Sequence, residues 1–333
     1  MPLDLLFPDL LLPQDAPATL RAIRLPALEK WLARGAWRRE PPRGAVEWLA
    51  GRFGVASPAP VAAIALAGEG SKAEGAWLRA DPVHLRIDTG QVRLHGPAAL
   101  EVEAAEAHAL VGALQAHFVA DGLEFRQLAP DRWYLRVARH ALPRTTPLDA
   151  AIGRDVYALM PEGGGAFNWR AAMTEAQMVL SAHEVNRARE ARRQPTINSI
   201  WLWGEGTAPP SVGRPYSIVF AADVFARGLG VLSQAEVRNE PRDISEVATA
   251  GGKSLLVVID DLAAALRRGD ADAWASAAQA VDTRWFAPLA ETLARFGTVR
   301  VILPAEEDTR IATLTAASRW RWFSLRKPLA AYA

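Results

Sequence analysis

Residues 183–206, HEVNRAREARRQPTINSIWLWGEG, decide how the chain is interpreted, because they join a helix end, a strand and a glycine turn. A helix is predicted over 174–193, where apolar residues recur at three- and four-residue spacing before a proline. The segment 197–203 is apolar enough to be a strand that is buried on both faces. Gly204 and Gly206 follow it, and the carboxyl ends of strands are where ligands commonly bind in open α/β sheets.

The C-terminal part of the chain has the pattern of a parallel α/β sheet. Three apolar segments, 216–222, 254–259 and 298–304, have the composition of buried strands. Helical patterns at 223–229 and 271–296 lie between them. Strands that alternate with helices in this way are typical of a parallel sheet.

Residues 76–168 have a different character, since short strands with period-2 alternation flank a single helical segment there. We therefore expect an α/β fold, with a doubly wound, mostly parallel sheet as its core and a smaller α+β domain inserted into it. The predicted core comprises residues 1–75 and 195–333. The predicted inserted domain, of the kind that binds substrate, comprises residues 76–194.

The composition and net charge of the chain argue against several classes of function. The 333 residues include 38 Lys and Arg against 37 Asp and Glu, and no basic stripe stands out, so a nucleic-acid partner is not expected. Cysteine is absent, which excludes disulfides and a thiol nucleophile. No apolar run approaches membrane-spanning length, and the N-terminus lacks the basic region of a signal peptide. We expect a cytoplasmic protein without a membrane partner.

The candidate ligand-binding residues lie in the stretch quoted above. Arg187 and Arg189 offer paired donors that suit a carboxylate or a phosphate, and Asn186 lies beside them. Asn198, Gly204 and Gly206 complete the set, because a glycine turn allows close approach of the backbone. The predicted ligand is a phosphorylated or carboxylated small molecule. The alternative is a solvated helix end with no ligand.

His183 precedes this cluster and has two interpretations. A single histidine near a helix end is either a hydrogen-bonded structural residue or a base that binds the ligand. We include it among the ligand-binding candidates.

Asp260 and Asp261 close a predicted buried strand, where carboxylates often bind metals or act in acid–base chemistry. They are the candidate metal ligands, for one hard cation. The alternative is that they cap the following helix. A two-metal site would need histidines as well, and all six histidines lie at or before position 183.

Residues 183–209 resemble a segment of the archaeal-type, cofactor-independent phosphoglycerate mutases, and most closely that of bacterial mutase-like proteins described as regulatory proteins of the RpfE type. Weaker resemblances are found in AWLRADPVHLRID (76–88), TTPLDAAIGRDVYALMPEGGGA (145–166) and LLVVIDDL (255–262). The resemblance implies the alkaline-phosphatase-like fold. In that family the core holds two Mn²⁺ or Zn²⁺ ions and a serine nucleophile, and a substrate domain is inserted into it.

The chain departs from the family where the chemistry takes place. The Asp-Gly that ends the first strand of the mutases is replaced by Asp9–Leu10, and the region of their serine reads GAVEWLAG, without a serine. Their Asp-x-x-x-His motif is represented by Asp260 and Asp261, which Leu-Ala-Ala-Ala follows. We therefore expect a degenerate mutase-like protein with no catalytic residues and no cofactor, which binds a small anion or acts in regulation.

Two other interpretations stay open. The first is an active, metal-dependent mutase or phosphatase-type enzyme that uses Mn or Zn and takes Ser57, Ser71 or Thr146 as its nucleophile. The second is a purely structural partner protein. The sequence makes no prediction of the oligomeric state.

Overall fold

The computed structural model describes residues 1–12, 16–41, 44–88, 90–305, 308–321 and 325–332. The chain divides into two compact units. The first unit comprises residues 1–58 and 211–333, and the second comprises residues 59–210.

Strands and helices alternate along most of the chain. Over the described ranges the strands are β1 (Pro2–Leu6), β2 (Ala36–Glu40), β3 (Ala76–Asp88), β4 (Gln91–His95), β5 (Leu123–Ala129), β6 (Arg132–Val137), β7 (Ser199–Thr207), β8 (Ile218–Phe220), β9 (Glu236–Arg238), β10 (Leu255–Val258), β11 (Thr298–Pro304) and β12 (Thr309–Thr315). The α-helices are α1 (Ala18–Arg21), α2 (Pro26–Arg34), α3 (Ala45–Arg52), α4 (Val61–Gly68), α5 (Ala104–Phe118), α6 (Leu148–Ala151), α7 (Trp169–Ser181), α8 (Glu184–Ala191), α9 (Val224–Leu232), α10 (Ile244–Thr249), α11 (Asp261–Arg267), α12 (Ala271–Val281) and α13 (Leu289–Phe296).

The first unit contains a seven-stranded sheet in the order β2-β12-β11-β1-β10-β8-β9. The strands from β11 to β9 in this order run parallel, and β12 and β2 extend one edge in antiparallel fashion. All four residues of β10 are buried, as expected for a central parallel strand. The prediction of an α/β fold with a mostly parallel sheet is confirmed.

Apolar helix faces cover this sheet. Leu289, Leu293 and Phe296 recur at helical spacing on α13 and are fully buried in the core of the first unit. The helix predicted over 271–296 is interrupted by a π-helical turn, Asp282–Phe286. In that turn the Asp282 carboxylate accepts hydrogen bonds from the amides of Ala27 and Leu28, at 3.2 and 2.6 Å. The interruption therefore satisfies the N-terminal amides of α2, which has no cap of its own.

A charged group is buried on the central strand of this sheet. The Asp4 side chain is 1% exposed, and Arg300 on the neighbouring β11 donates to both of its oxygens at 2.6 Å. The Tyr216 hydroxyl donates to Asp4 at 2.5 Å. Burial raises the pKa of Tyr216, and the Asp4 charge raises it further, so the hydroxyl keeps its proton. Asp4 is thus a paired and fully hydrogen-bonded buried carboxylate.

The second unit is built on an antiparallel sheet in the order β4-β3-β6-β5, with β7 also paired to β3. The 13-residue β3 is its central element, because its first half pairs with β6 and its last residues pair with β4. One face of the sheet packs against α5 and α7 in a second apolar core that contains Trp133, Trp169 and Trp201.

The observed division differs from the predicted one. Residues 59–75 and 195–210, which the prediction assigns to the core, belong to the second unit. The reason lies in β7, which pairs antiparallel with β3 from Ser199 opposite Val83 to Thr207 opposite Ala76. The first four residues of this strand, Ser199–Leu202, are all buried, so both of its faces are covered there, a pattern that a parallel strand would also produce.

The helix predicted over 174–193 is in fact two helices, α7 and α8, which meet at His183. Among all the helices that the structure describes, none has both the length and the apolar character needed to cross a bilayer.

Replacing Arg300 tests the buried pair. Arg300→Met leaves the Asp4 carboxylate in the sheet without its bidentate partner, and removal of one member of a buried ion pair costs about 3–5 kcal/mol. We expect a loss near the lower limit, because Arg52 Nη2 still lies 3.9 Å from Asp4. Urea unfolding measures the change, with the 94% exposed Arg242→Met as the control. Equal stability of the two variants would contradict the assignment.

Candidate functional site

The carboxyl ends of the parallel strands form one edge of the first unit, which is where such sheets bind ligands. Asp260 and Asp261 follow β10 at this edge, as the sequence predicts. Glu240 follows β9 and joins them, because its carboxylate accepts a hydrogen bond from the Asp260 backbone amide. The Glu240 carboxylate is therefore near enough to Asp260 and Asp261 for their charges to act on it.

Glu240 has an unusual protonation equilibrium. Burial raises its pKa, the negative charges of Asp261 and Asp260 add to the effect, and the result is a pKa of about 7. Arg284 opposes the rise only partly. A carboxyl group with this pKa is half protonated near neutral pH and donates or accepts a proton there. The sequence offers no signal for Glu240, because β9 has only three residues and no apolar alternation.

A cavity of about 500 Å³ lies beside Glu240, between the ends of β8 and β9 and helix α10. The Arg238 guanidinium lies 5.7 Å from the centre of the Phe220 ring and donates to Glu236 at 2.7 Å. The cavity is lined by positively and negatively charged side chains, by polar side chains and by an aromatic ring. The lining residues are Phe220, Arg238, Asn239, Glu240, Glu246, Thr249 and Ala250. Such a lining suits a polar small molecule.

The donor atoms at this edge do not fit a pair of transition-metal ions. Paired Mn²⁺ or Zn²⁺ ions are commonly held by carboxylates together with imidazoles. All six histidines of the chain, at positions 84, 95, 108, 117, 140 and 183, belong to the second unit. Within the described ranges no three His, Cys, Asp or Glu side chains are grouped closely enough to hold a metal ion. Binding of one hard cation by Asp260 and Asp261 stays a prediction.

The predicted ligand residues lie in the second unit, around α8 and the start of β7. Asn186 is buried and donates to the carbonyls of Leu180 and Ile197 at 2.7 and 2.9 Å, and it accepts from the Ile197 amide at 2.7 Å. This side chain holds the helix against the strand. Its donors and acceptor are engaged within the protein.

Arg189 is also buried and bonded within the unit. Its Nε donates to the Pro195 carbonyl at 2.7 Å, its Nη1 donates to Glu106 at 2.5 Å, and its Nη2 donates to the Leu100 carbonyl. The guanidinium thus connects α8 to α5. A ligand would have to compete with these three partners.

His183 and Arg187 lie one helical turn apart at the start of α8. His183 Nδ1 accepts from the Val185 amide at 3.2 Å, so the ring caps the helix. Arg187 is exposed and makes no ion pair with any residue that the structure describes. Asn198 accepts from the Leu85 amide at 2.8 Å and donates to the Leu85 carbonyl at 2.9 Å, which extends the pairing between β7 and β3. Of the predicted set, Arg187 is the most accessible donor.

Gly204 and Gly206 bring the β7 backbone against α4. Gly204 has φ +67° and Gly206 has φ +147°. A Cβ at Gly204 would lie 2.9 Å from the Val61 Cβ, and one at Gly206 would lie 2.5 Å from the Pro60 Cβ. The absence of a side chain at these two glycines therefore lets the β7 backbone lie against the start of α4. An approach to a ligand stays a prediction.

The candidates thus fall into two groups, with Asp260 and Asp261 in the first unit and the residues of 183–206 in the second. The structure also brings together two histidines of the second unit, because the ring centroids of His84 and His95 lie 6.0 Å apart.

The sequence of the chain is similar to those of several phosphoglycerate mutases. The sequence is 25% identical over 262 residues to the probable 2,3-bisphosphoglycerate-independent phosphoglycerate mutase of Geobacter sulfurreducens, covering 72% of this chain and 65% of that protein. It is 26% identical over 214 residues to the 2,3-bisphosphoglycerate-independent phosphoglycerate mutase of Methanothrix thermoacetophila, covering 58% of this chain and 53% of that protein. The alignments thus span about half to two thirds of these relatives. No family model matches the chain.

The fold is also found in a solved structure. The PH0037 protein from Pyrococcus horikoshii superposes with a TM-score of 0.58 at 12% sequence identity, over 94% of this chain and 87% of that one. At this identity the likeness concerns the fold alone. The sequence relatives confirm the predicted similarity to cofactor-independent phosphoglycerate mutases.

Adding a methyl group at Gly204 tests the contact with α4. We expect Gly204→Ala to destabilise the protein by about 1–3 kcal/mol more than Gly163→Ala, because the extra Cβ overpacks the contact. Gly163 is the matched control, since its φ is +76° but a Cβ there would meet nothing within 4 Å. Thermal or urea unfolding of both variants gives the difference. If both variants lose the same stability, the positive φ of the glycine causes the loss and the contact with α4 does not.

Replacing Glu240 tests the carboxylate cluster. The pKa of Glu240 is about 7 in the folded protein, against 4.5 for an ordinary Glu. The folded protein binds the extra proton between these values, so the contribution of Glu240 to stability falls as the pH rises from 4.5 to 7. Glu240→Gln removes this dependence, and the variant should gain stability relative to wild type between pH 5 and pH 8. Urea unfolding at both pH values measures the gain.

The control for this measurement is Glu291→Gln, an exposed position on α13. A constant difference between Glu240→Gln and wild type across this pH range would show that Glu240 ionises as an ordinary surface carboxyl does.

Proposed function

We propose that this protein is a degenerate phosphoglycerate-mutase-like protein that binds a phosphorylated or carboxylated small molecule and has lost two-metal phosphoryl transfer. The observation that carries the proposal is the composition of the strand-end edge of the first unit. It contains Glu240, Asp260 and Asp261, while every histidine of the chain belongs to the other unit. Carboxylates alone repel a phosphate group and do not neutralise the charge that develops during its transfer.

The missing nucleophile supports the same proposal. Transfer through a phosphoserine or phosphothreonine needs a hydroxyl that a neighbouring base or metal activates. Ser57, Ser71 and Thr146 are the hydroxyls that the sequence leaves as candidates. Within the described part of the chain, none of their hydroxyl oxygens is hydrogen-bonded to a carboxylate or an imidazole.

Binding of an anion is proposed for the second unit, where Arg187 offers an exposed guanidinium one turn from His183. The buried Asn186 and Arg189 would position the helix that carries them. We further propose a regulatory role of the RpfE type in the cytoplasm, without a nucleic-acid or membrane partner and without a resident cofactor. Similarity to the mutases over part of their length supports the ligand class.

One contact favours the alternative, an active enzyme on a phosphate ester. The Thr145 hydroxyl donates a hydrogen bond to Glu205, which also accepts from the Thr145 amide at 3.2 Å. A carboxylate in this position would serve as a general base for the hydroxyl. Thr145 adjoins the candidate Thr146. If activity is found, Thr145→Val should abolish it and Thr145→Ser should retain it.

Activity and metal content test the proposal directly. After incubation with Mn²⁺ and removal of free metal, we expect less than one tightly bound transition-metal ion per chain by elemental analysis. We also expect no interconversion of 2- and 3-phosphoglycerate above background. The comparison variants are Asp260→Ala and, as an exposed control on α12, Asp272→Ala. Two ions per chain together with turnover that Asp260→Ala abolishes would overturn the proposal.

A further inference from the structure

Two distant segments of the first unit bring a group of cations together. Helix α2 carries Lys30 and Arg34, and the stretch 319–327, RWRWFSLRK, carries the others. The Arg34 guanidinium donates to the Arg319 carbonyl at 3.3 Å, and the Arg321 guanidinium donates to the Arg34 carbonyl at 3.5 Å. We call this group the basic surface, and its members are Lys30, Arg34, Arg319, Arg321, Arg326 and Lys327.

The positive charge of the basic surface is not paired within the described part of the chain, where none of its side chains forms an ion pair. The acids on the neighbouring elements do not compensate for it. Glu29 on α2 is buried and bonded to Arg24 at 2.7 Å, and Asp282 is 8% exposed and bonded to the amides of α2. Glu291 on α13 lies one turn from Arg295, whose charge offsets its own.

The cations are close enough to repel each other. Lys30 and Arg34 are four residues apart on α2, where like charges destabilise a helix. Both lie against the Trp31 ring, at 5.4 and 5.8 Å from its centre. Burial lowers the pKa of Lys30, and the charges of Arg34 and Arg326 lower it further. A cluster that opposes folding in this way is typical of a functional site, where an external group compensates for the charge.

Two large apolar side chains are exposed beside these cations. Trp320 is 79% exposed and Leu325 is 81% exposed, whereas most of the other tryptophans that the structure describes are buried. Trp320 ends a 3-10 helix, Ala316–Trp320, in which Ser318 is buried. Leu329, which follows Leu325, is buried in the apolar core of the unit. Each exposed side chain thus lies next to a residue that anchors its segment. Residues 322–324 lie outside the described ranges and are not part of the surface.

We propose that the basic surface binds an acidic peptide segment of a partner protein, whose carboxylates pair with the guanidiniums while an apolar side chain packs on Trp320. A guanidinium binds a carboxylate through two parallel hydrogen bonds. Trp and Arg are also the residues that contribute most strongly at protein interfaces. The inference goes beyond the proposed function and does not depend on it.

The charge of the whole chain favours a short peptide over a membrane or a nucleic acid. A peptide interacts with charges that lie within about 8 Å of it at physiological salt. An extended polyanion also meets the rest of a protein that carries 37 acidic residues against 38 Lys and Arg. Binding in a membrane interface requires a continuous apolar face, whereas Trp320 and Leu325 are separate side chains. Binding to lipid or nucleic acid is therefore an outcome of the test that counts against the proposal.

Fluorescence anisotropy with a labelled acidic peptide tests the proposal. The probe is fluorescein-labelled Glu-Glu-Asp-Leu-Glu-Asp-Phe-Glu-Glu, and the control probe has Gln for each Glu and Asn for each Asp. We expect the full chain to bind the acidic probe saturably and the control probe at least about tenfold more weakly. Binding of the acidic probe should weaken as NaCl is raised from about 50 to about 300 mM, because salt screens exposed charges.

A charge variant locates the binding. Arg319→Gln/Arg326→Gln removes two cations whose side chains have no hydrogen-bond partner among the described residues, so the fold should be retained. We expect it to bind the acidic probe at least about fivefold more weakly. The matched control, Arg144→Gln/Arg242→Gln, removes the same charge from side chains that are 84% and 94% exposed. This control should bind within about twofold of wild type.

Replacing Trp320 tests the apolar part of the surface. Trp320→Ala should weaken binding of the acidic probe about fivefold, because an exposed aromatic anchor is lost. The control is Ile87→Ala, at another exposed apolar side chain, which should bind as wild type does. Thermal unfolding identifies a variant that fails to fold. In that case Trp320→Phe replaces it, with binding expected between those of wild type and Trp320→Ala.

Any of the following results would overturn the inference. They are no saturable binding of the acidic probe up to about 1 mM, equal binding of the two probes, or an equal loss in the matched charge control. The last is binding of phosphatidylglycerol vesicles or single-stranded DNA that is tighter than peptide binding and is lost in Arg319→Gln/Arg326→Gln. None of these results bears on the metal content and mutase assays of the proposed function, so the two proposals fail separately.

Discussion

The first unit depends on the pairing of its first strand with two strands from the far end of the chain. β1 lies between β10 and β11, so its five residues hydrogen-bond to segments about 250 to 300 positions away. The carboxylate of Asp4 is buried in the middle of this pairing and is joined to Arg300 on β11. Because the N-terminal strand is central, the sheet forms only when the C-terminal part of the chain is present. The second unit is consequently an insertion between two halves of one sheet.

Much of this fold could be predicted from the sequence, because buried parallel strands are short apolar runs that alternate with helices. Both β10 and β11 coincide with predicted strands, and the break within 271–296 depends on a contact between Asp282 and the distant α2. The sequence predicts that the strand at 199–207 belongs to the parallel sheet, whereas in the structure it pairs with β3 in the second unit. The reason for this error is physical. An apolar strand that is covered on both faces has the same composition whether its neighbours run parallel or antiparallel.

The sequence predicts a candidate site residue only where its position follows from one continuous segment of the chain. Asp260 and Asp261 end an apolar run, so their position at the sheet edge follows from the sequence alone. Glu240 joins them through the order of strands in the sheet, which local composition does not determine. His84 and His95 become partners through register. The residue numbers of every β3–β4 pair sum to 179, so counting inward from the predicted turn between the two strands would have found them.

The contact between β7 and α4 has a consequence for the history of the chain. Gly204 and Gly206, near the end of the second unit, touch Val61 and Pro60 at its beginning. An insert whose two ends touch departs from and returns to its host at one point, so its loss or exchange would not stretch the polypeptide around it. Such a module is transferable as a single genetic block while the host sheet stays the same.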